Sequence, residues 1–215
     1  MKMTKNRNLV NETIQQVENY IQQNELMIGD KLPIEKELAE IFGVGRSTLR
    51  EAVKILVYSN VLEVKQGSGT FVKNGSIGEF STTDLLRARS MIESQAIVLA
   101  AMYRTDKDML RLKEVLFQRN RLLEAGNFSE YIEADLAFHQ QIVAMSQNPF
   151  LIKWYNELLS DIKLHLSQQV LRMEDYQDNT SLHNTIYRAL LEGKAEEAQA
   201  MVQKNIFTDE EDEIG

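Results

Sequence analysis

An Asp-x-x-x-His pair and one distant histidine are the residues of this 215-residue chain best suited to holding an ion. Asp135 and His139 stand four apart, so a helix places both side chains on one face. A carboxylate and an imidazole so placed can ligate one divalent metal. His183 opens another helix further along, and His165 is the remaining histidine. Without a third ligand, the same pair is an ordinary helix-surface contact and the lone histidine an ordinary cap. A second constellation is the run Arg46-Ser47-Thr48 with Arg50 and Lys54. A short helix that opens on cations and small hydroxyls fits a major groove and attracts phosphates. The same stripe alone is the solvated face of an amphipathic helix. Cysteine is absent, and there is no HExxH, GxSxG or phosphate-binding loop. His139 is followed by Gln140, and nothing positions a nucleophile, so an enzyme is not expected.

The elements that must position these residues follow from periodicity and punctuation. Val10, Ile14, Val17 and Ile21 predict a helix over 8–23. Gly29-Asp30 turns the chain, and Pro33 precedes a helix over 34–42 that buries Leu38 and Ile41. Gly43 and Gly45 break it. A helix over 46–59 follows, burying Leu49, Val53 and Leu56. Val61 to Val64 alternates like a strand, Gln66-Gly67-Ser68-Gly69 turns it, and Thr70 to Val72 returns as a hairpin. Phe71 and Val72 are expected in the core. Helices are expected over 82–104, 106–125, 128–146, 149–173, 179–192 and 194–207, with Asp106 as an N-cap. The spacing of Met91, Met102, Met109, Met145 and Met173 reads as core or dimer packing. The domains predicted are 1–75, a linker over 76–80, an all-helical domain over 81–207, and an acidic tail over 208–215.

Composition narrows the class. The net charge is −8, but residues 1–77 carry ten Lys/Arg against nine Asp/Glu, and the remainder fourteen against twenty-three. A near-neutral N-terminal part with clustered cations is enough for phosphate contact. No run of 18 apolar residues exists, so no membrane span is expected. The polar N-terminus has no secretory h-region, and cysteine is absent. A cytoplasmic protein is expected.

Residues 8–73 resemble the winged helix-turn-helix of the GntR family of bacterial transcription regulators. The resemblance rests on Gly29-Asp30-Lys31-Leu32-Pro33, Glu35-x-Glu37-Leu38-Ala39 and Gly43-Val44-x-Arg46-x-x-Leu49-Arg50-Glu51-Ala52. Leu56 and Gly67-x-Gly69-Thr70-Phe71-Val72 complete it. It implies that Arg46 and Arg50 contact bases and phosphates, and that Ser47 and Thr48 contact backbone or bases. Lys36 stands where Arg is frequent, which keeps phosphate contact but loses bidentate guanine recognition. Gln66 and Gly67 fall at the wing tip beside the minor groove. Glu51 is expected to be structural, pairing with a cation or a helix end.

Residues 80–207 resemble the FCD ligand-binding domain of the FadR branch of that family. The carriers are Leu86-x-x-Arg89-x-x-x-Glu93, Ala100-Ala101, Asp135-x-x-x-His139, and His183-x-x-Ile186 with Ala189-Leu190. The resemblance implies a metal held by Asp135, His139 and two later histidines. His183 matches the first of these; Asn205 stands where the second belongs and offers a weaker, carbonyl ligand. His165 could replace it if its helix faces the cavity. Zinc, nickel and manganese are the candidate ions. Arg89 falls where an arginine meets the effector's carboxylate; its other reading is a pair with Glu93.

The expected fold is mainly α: an N-terminal winged helix-turn-helix with a small β-hairpin wing, then an antiparallel helical bundle. The expected function is a homodimeric regulator, a repressor, that binds double-stranded operator DNA under control of a small carboxylate effector. The alternatives are a metal-free sensor of acyl-type ligands, a metallohydrolase with an accessory DNA-binding domain, and an architectural DNA protein without sequence preference.

Overall fold

The computed structural model describes residues 2–73, 81–171 and 179–207. The expected linker over 76–80, the acidic tail over 208–215 and Met173 lie outside the described residues. Among the described residues, nine helices and two strands run in the order α1 (Lys2–Gln23), α2 (Glu35–Phe42), α3 (Arg46–Tyr58), β1 (Leu62–Lys65), β2 (Gly69–Val72), α4 (Thr82–Tyr103), α5 (Asp106–Ala125), α6 (Phe128–Met145), α7 (Pro149–Leu171), α8 (Thr180–Glu192) and α9 (Ala195–Phe207). The chain divides into two compact units. One comprises Met1–Gly78, Leu122–Ile132 and Lys163–Tyr176; the other comprises Glu79–Arg121, Glu133–Ile162 and Gln177–Gly215.

In the first unit α1 and α3 pack through their apolar faces, with Val10, Ile14, Val17, Leu49, Val53 and Leu56 all buried. Gly43 takes φ 67° and ends α2, a left-handed turn that glycine adopts without a Cβ penalty. The α2 expectation needs a correction. Leu38 is buried, but Ile41 is 56% exposed and Ala39 takes the second core position. At about 100° per residue, a core facing between 38 and 39 turns position 41 outward and leaves Phe42 inward. Phe42 accordingly meets Tyr20 edge-on. The wing is a two-stranded antiparallel hairpin, with Leu62 opposite Val72 and Lys65 opposite Gly69. Val72 is buried and Phe71 half-buried, with the Lys65 ammonium 4.9 Å from its ring centroid.

The second unit is helical. Its core joins Ile97 and Ala100 of α4, Leu112 and Leu116 of α5, Phe138 and Ile142 of α6, Ile186 and Leu190 of α8, and Val202 and Ile206 of α9. Ser81 caps α4 by accepting from the Asp84 N–H at 3.1 Å. Asp106 does not cap α5. Thr105 does: its Oγ1 accepts from the Asp108 N–H at 3.2 Å, while Asp108 accepts from the Thr105 N–H at 3.0 Å. This reciprocal box needs the acid three residues after the cap, which only Thr105 has. The methionines also divide. Met109 and Met145 are core, whereas Met91 and Met102 are exposed.

Candidate functional site

Helix α6 positions the first two candidate ligands. Asp135 and His139 sit four apart on its buried face, and α8 brings His183 against them. Among the described residues, these three form one group whose ligand atoms all lie within 4.8 Å of one another. His183 Nε2 is 3.2 Å from Asp135 Oδ1, and His139 Nε2 is 3.9 Å from Asp135 Oδ2. The two Nε2 atoms are 3.2 Å apart. His165 is not in the group.

The outer nitrogen of each ring explains its orientation. His183 Nδ1 lies 3.0 Å from the Asn179 carbonyl, which can only accept, so this nitrogen carries the proton. His139 Nδ1 lies 2.7 Å from Glu93 Oε2. Burial acts to raise the Glu93 pKa, but Arg89 and His139 outweigh it and hold it down at about 2, so this oxygen also accepts. Each imidazole therefore turns its Nε2 toward the common centre. That is how a second shell aims histidine ligands. Burial, reinforced by the Arg119 cation, pulls the His183 pKa down to about 4 against the pull of Asp135, so His183 is a neutral ligand at pH 7. Burial acts to raise Asp135, and Arg119 followed by His183 overcomes it, so the carboxylate stays ionised. Phe138 walls the group, its ring centroid 5.4 Å from His139 and 5.1 Å from His183.

Asn205 joins from α9. Its Nδ2 is 3.4 Å from His139 Nε2, and its buried Oδ1 has no hydrogen-bond partner. Two imidazole nitrogens, one carboxylate oxygen and one unsatisfied amide oxygen suit a borderline divalent ion such as zinc, nickel or manganese. The residues present therefore fit the group that the sequence suggests. An unsatisfied buried oxygen beside converging acceptors is the kind of exception that a missing ion explains.

Two residues complete the site that periodicity alone did not bring forward. Arg119 of α5 is wholly buried. Its Nε donates to Asp135 Oδ1 at 2.8 Å, and its terminal nitrogens reach Asn120, Thr180 and Asn179. It sits on the apolar stripe of Met109, Leu112, Leu116 and Leu123, all buried, and a cation at such a position was the legible signal. Tyr155 of α7 is also wholly buried, one turn after Leu151. Arg89 forms the pair with Glu93 that was one of its two expected roles. It is buried and donates through Nε to Glu93 Oε1 at 2.7 Å, while its Nη2 has no partner. The pair with Glu93 is the arrangement that this guanidinium adopts.

The first unit carries the other candidate face. Lys36, Arg46, Arg50, Gln66 and Gly67 line one hollow of about 580 Å³, together with Lys31 and Lys65. Gly67 takes φ 73° at the hairpin tip, where a residue without Cβ lets backbone approach closely. Arg50 Nε pairs with Glu35 at 2.8 Å, and this pairing raises the Arg50 pKa. Ser47 and Thr48 line a second hollow with Arg50, Glu51 and Lys54. Glu51 caps a helix end in the same unit, accepting from the Ser129 N–H and from Ser129 Oγ at 2.8 Å.

Two family models match the chain, one on each side of residues 73–83, so that the segments 122–132 and 163–176 of the first compact unit fall within the second match. The FCD domain model matches residues 84–206, and the model described as bacterial regulatory proteins, gntR family, matches residues 9–72. The chain is 32% identical over 217 residues to the Uxu operon regulator of Haemophilus influenzae, covering 93% of this chain and 81% of that protein. It is 31% identical over 199 residues to the HTH-type transcriptional regulator LutR of Bacillus subtilis, covering 84% and 90%. Among solved structures, E. coli McbR/YncC aligns with a TM-score of 0.58 at 22% identity over 94% of each chain, a likeness of fold. No helix among the described residues is long and apolar enough to cross a membrane.

Proposed function

The chain belongs to the gntR family of bacterial regulatory proteins and carries an FCD domain, and from that premise we propose a homodimeric cytoplasmic repressor that releases its operator when a small carboxylate binds an ion-loaded sensor site. That it is a transcription regulator and not an enzyme follows from family membership. The rest is the reading that the geometry supports best.

Asp135, His139 and His183 would hold the ion, with Asn205 as a weaker fourth oxygen donor. When bound, the ion supplies Lewis-acid positions for a carboxylate oxygen. The single observation that carries this is the convergence of both Nε2 atoms on Asp135, with each Nδ1 anchored on an acceptor. Arg89 keeps its Nη2 for the effector while Glu93 holds the Nε side. On the DNA side, Arg46, Arg50 and Lys36 meet phosphates and base edges, Ser47 and Thr48 meet the backbone, and Gln66 and Gly67 enter the minor groove. One winged helix makes few phosphate contacts, and two copies on a palindrome raise the effective concentration. Coupling between effector and operator of about 1–3 kcal/mol changes operator affinity roughly 5- to 150-fold.

One observation favours a second reading, a sensor that works without metal. Arg89 pairs with Glu93 and Arg119 with Asp135, so the buried charges already balance. Elemental analysis of untagged protein purified without chelator separates the two. The expected result is about one divalent ion per chain, lost in His139→Ala and in His183→Ala. No ion after incubation with zinc, nickel and manganese would leave the metal-free reading.

A further inference from the structure

Helix α3 has a face that its own core does not use. Leu49, Ala52, Val53, Ile55 and Leu56 are its buried residues. On the opposite side, Ser47, Glu51, Lys54 and Tyr58 recur at i, i+4, i+7 and i+11 and so form one stripe. A helix that reads a major groove turns such a stripe to the bases. The groove is about 12 Å wide, scarcely more than one helix with its side chains. Here the stripe is already engaged. Ser129, in the first turn of α6, gives Glu51 its N–H and, at 2.8 Å, its hydroxyl. Glu130 Oε1 takes Lys54 Nζ at 3.1 Å. The Lys163 ammonium of α7 lies 3.6 Å from the Tyr58 ring centroid. Between Ser47 and the α5–α6 turn at Gly126 and Asn127 there remains a hollow of about 330 Å³, which admits no duplex. All of these residues belong to the first compact unit.

We propose that the N-terminal end of α6 is an autoinhibitory latch. Ser129 and Glu130, together with Lys163, hold α3 in a form that cannot enter a major groove, and operator binding requires the latch to open. The inference rests on the reading of α3 as the DNA-reading helix. Three features make the contact a latch rather than a permanent seam. Its bonds are polar, and the Lys54–Glu130 pair is about half exposed, so water or a phosphate can replace each partner. The Ser129 N–H lies in the first turn of α6, where the helix offers no acceptor of its own, so Glu51 is the group that satisfies it. Two carboxylates, Glu51 and Glu130, stand on the face that phosphates would approach, and one of them holds the Lys54 cation. Arg46 and Arg50 lie to the wing side of the stripe and line the other hollow, so the latched form keeps a cationic flank while its base-reading face is covered. The latched form is then the form that has released its operator. Beyond the latch, the same helix carries Asp135 and His139 of the candidate ion site.

The test uses the full-length protein and a duplex that it selects from a random-sequence library. Hydrogen exchange at the Ser129 amide reads the latch directly. The amide is protected in the free protein and exchanges faster when the duplex is saturating. An amide unprotected in the free protein, or equally protected with and without DNA, overturns the proposal. Ser129→Ala combined with Lys163→Met weakens the latch from the α6 and α7 side and leaves every residue of α3 in place. It tightens duplex binding about tenfold, as loss of one hydrogen bond to a charged group and one cation–ring contact implies. The sign is diagnostic. Removing the Lys163 charge would by itself weaken attraction to phosphates, so only an opened latch gives a gain. Affinity equal to or below wild type in a variant with wild-type circular dichroism overturns the proposal; should that variant not fold, the exchange measurement on wild type decides alone. Arg46→Gln separates this failure from that of the underlying reading. Wild-type affinity in Arg46→Gln and in Arg50→Gln means that α3 does not read DNA, whatever the latch does.

Discussion

The two candidate sites use the same chemical groups under opposite conditions. Arg50 in the first unit and Arg119 in the second each pair with a carboxylate through Nε at 2.8 Å. The side chains of Arg50 and Glu35 are 63% and 41% exposed; those of Arg119 and Asp135 are 0% and 5%. Water screens the first pair, and its partners can change at little cost, as the proposed role of Arg50 in phosphate contact requires. The second pair is removed from water and can exist only while both charges stay. Exposure suits a surface that trades partners; burial suits a site whose geometry is held by the fold itself.

Deleting the cation from each pair gives the largest contrast. Arg119→Met leaves Asp135 ionised and unpaired in the core, which costs about 3–5 kcal/mol of stability. Denaturant unfolding should show a lower midpoint, and saturating zinc should restore part of the loss by replacing the missing positive charge. Arg50→Met should leave the midpoint where it is. Equal losses in both variants would show that the difference in burial does not govern the two pairs.

Acid sharpens the same comparison with a smaller effect. His183 has a pKa of about 4 in the fold, against about 6.5 in an unfolded chain. Between those values the unfolded state binds a proton that the folded state refuses, so stability falls as pH drops from about 6.5 to about 4. Glu93, at about 2 in the fold, extends the loss as pH falls below its unfolded value of about 4.5 toward 2. In metal-free protein the melting temperature should therefore decline through one continuous window from near neutrality downward. His183→Gln should flatten only the upper part of that window. A wild-type profile that stays level between pH 6.5 and 4 would argue that His183 is protonated in the fold.

The same contrast explains how much of each site could be read before the structure. The proposed DNA-contacting set lies within residues 36–67, on consecutive short elements whose punctuation by Pro33, Gly43, Gly45, Gly67 and Gly69 is local. Helix boundaries follow from such signals, and the element order agrees with expectation throughout the described residues. The errors were of orientation: Ile41 faces outward because the core faces between Leu38 and Ala39, and Thr105 takes the cap because its partner acid is three residues on. The candidate ion site draws on residues 89 to 205 of five helices, with Tyr155 on a sixth. Asp135 and His139 were legible because one helix places them together. Arg119 and Tyr155 were not, because their partners come from other helices and no spacing in their own segments encodes those contacts. The trace they leave is a polar residue on an apolar stripe, as in Leu112, Leu116, Arg119, Leu123 and in Leu86, Arg89, Glu93, Ile97.

The smallest effect tests whether the exposed pair belongs to the DNA-reading surface. Glu35 holds Arg50 beside the hollow that also gathers Lys36, Arg46 and Gln66. A phosphate arriving there competes with Glu35 for one guanidinium. Glu35→Gln keeps the size and the hydrogen-bonding oxygen but removes the charge that opposes the phosphate. Stability should not change measurably. Affinity for a duplex selected by the wild-type protein from a random-sequence library should rise modestly at low salt, and the gain should vanish as salt rises and screens the removed repulsion. Arg50→Gln should act in the other direction and reduce the dependence of affinity on salt by about one released counterion. A salt slope unchanged in Arg50→Gln would take Arg50 out of the phosphate-contacting set and leave its pair with Glu35 as a contact of the fold alone.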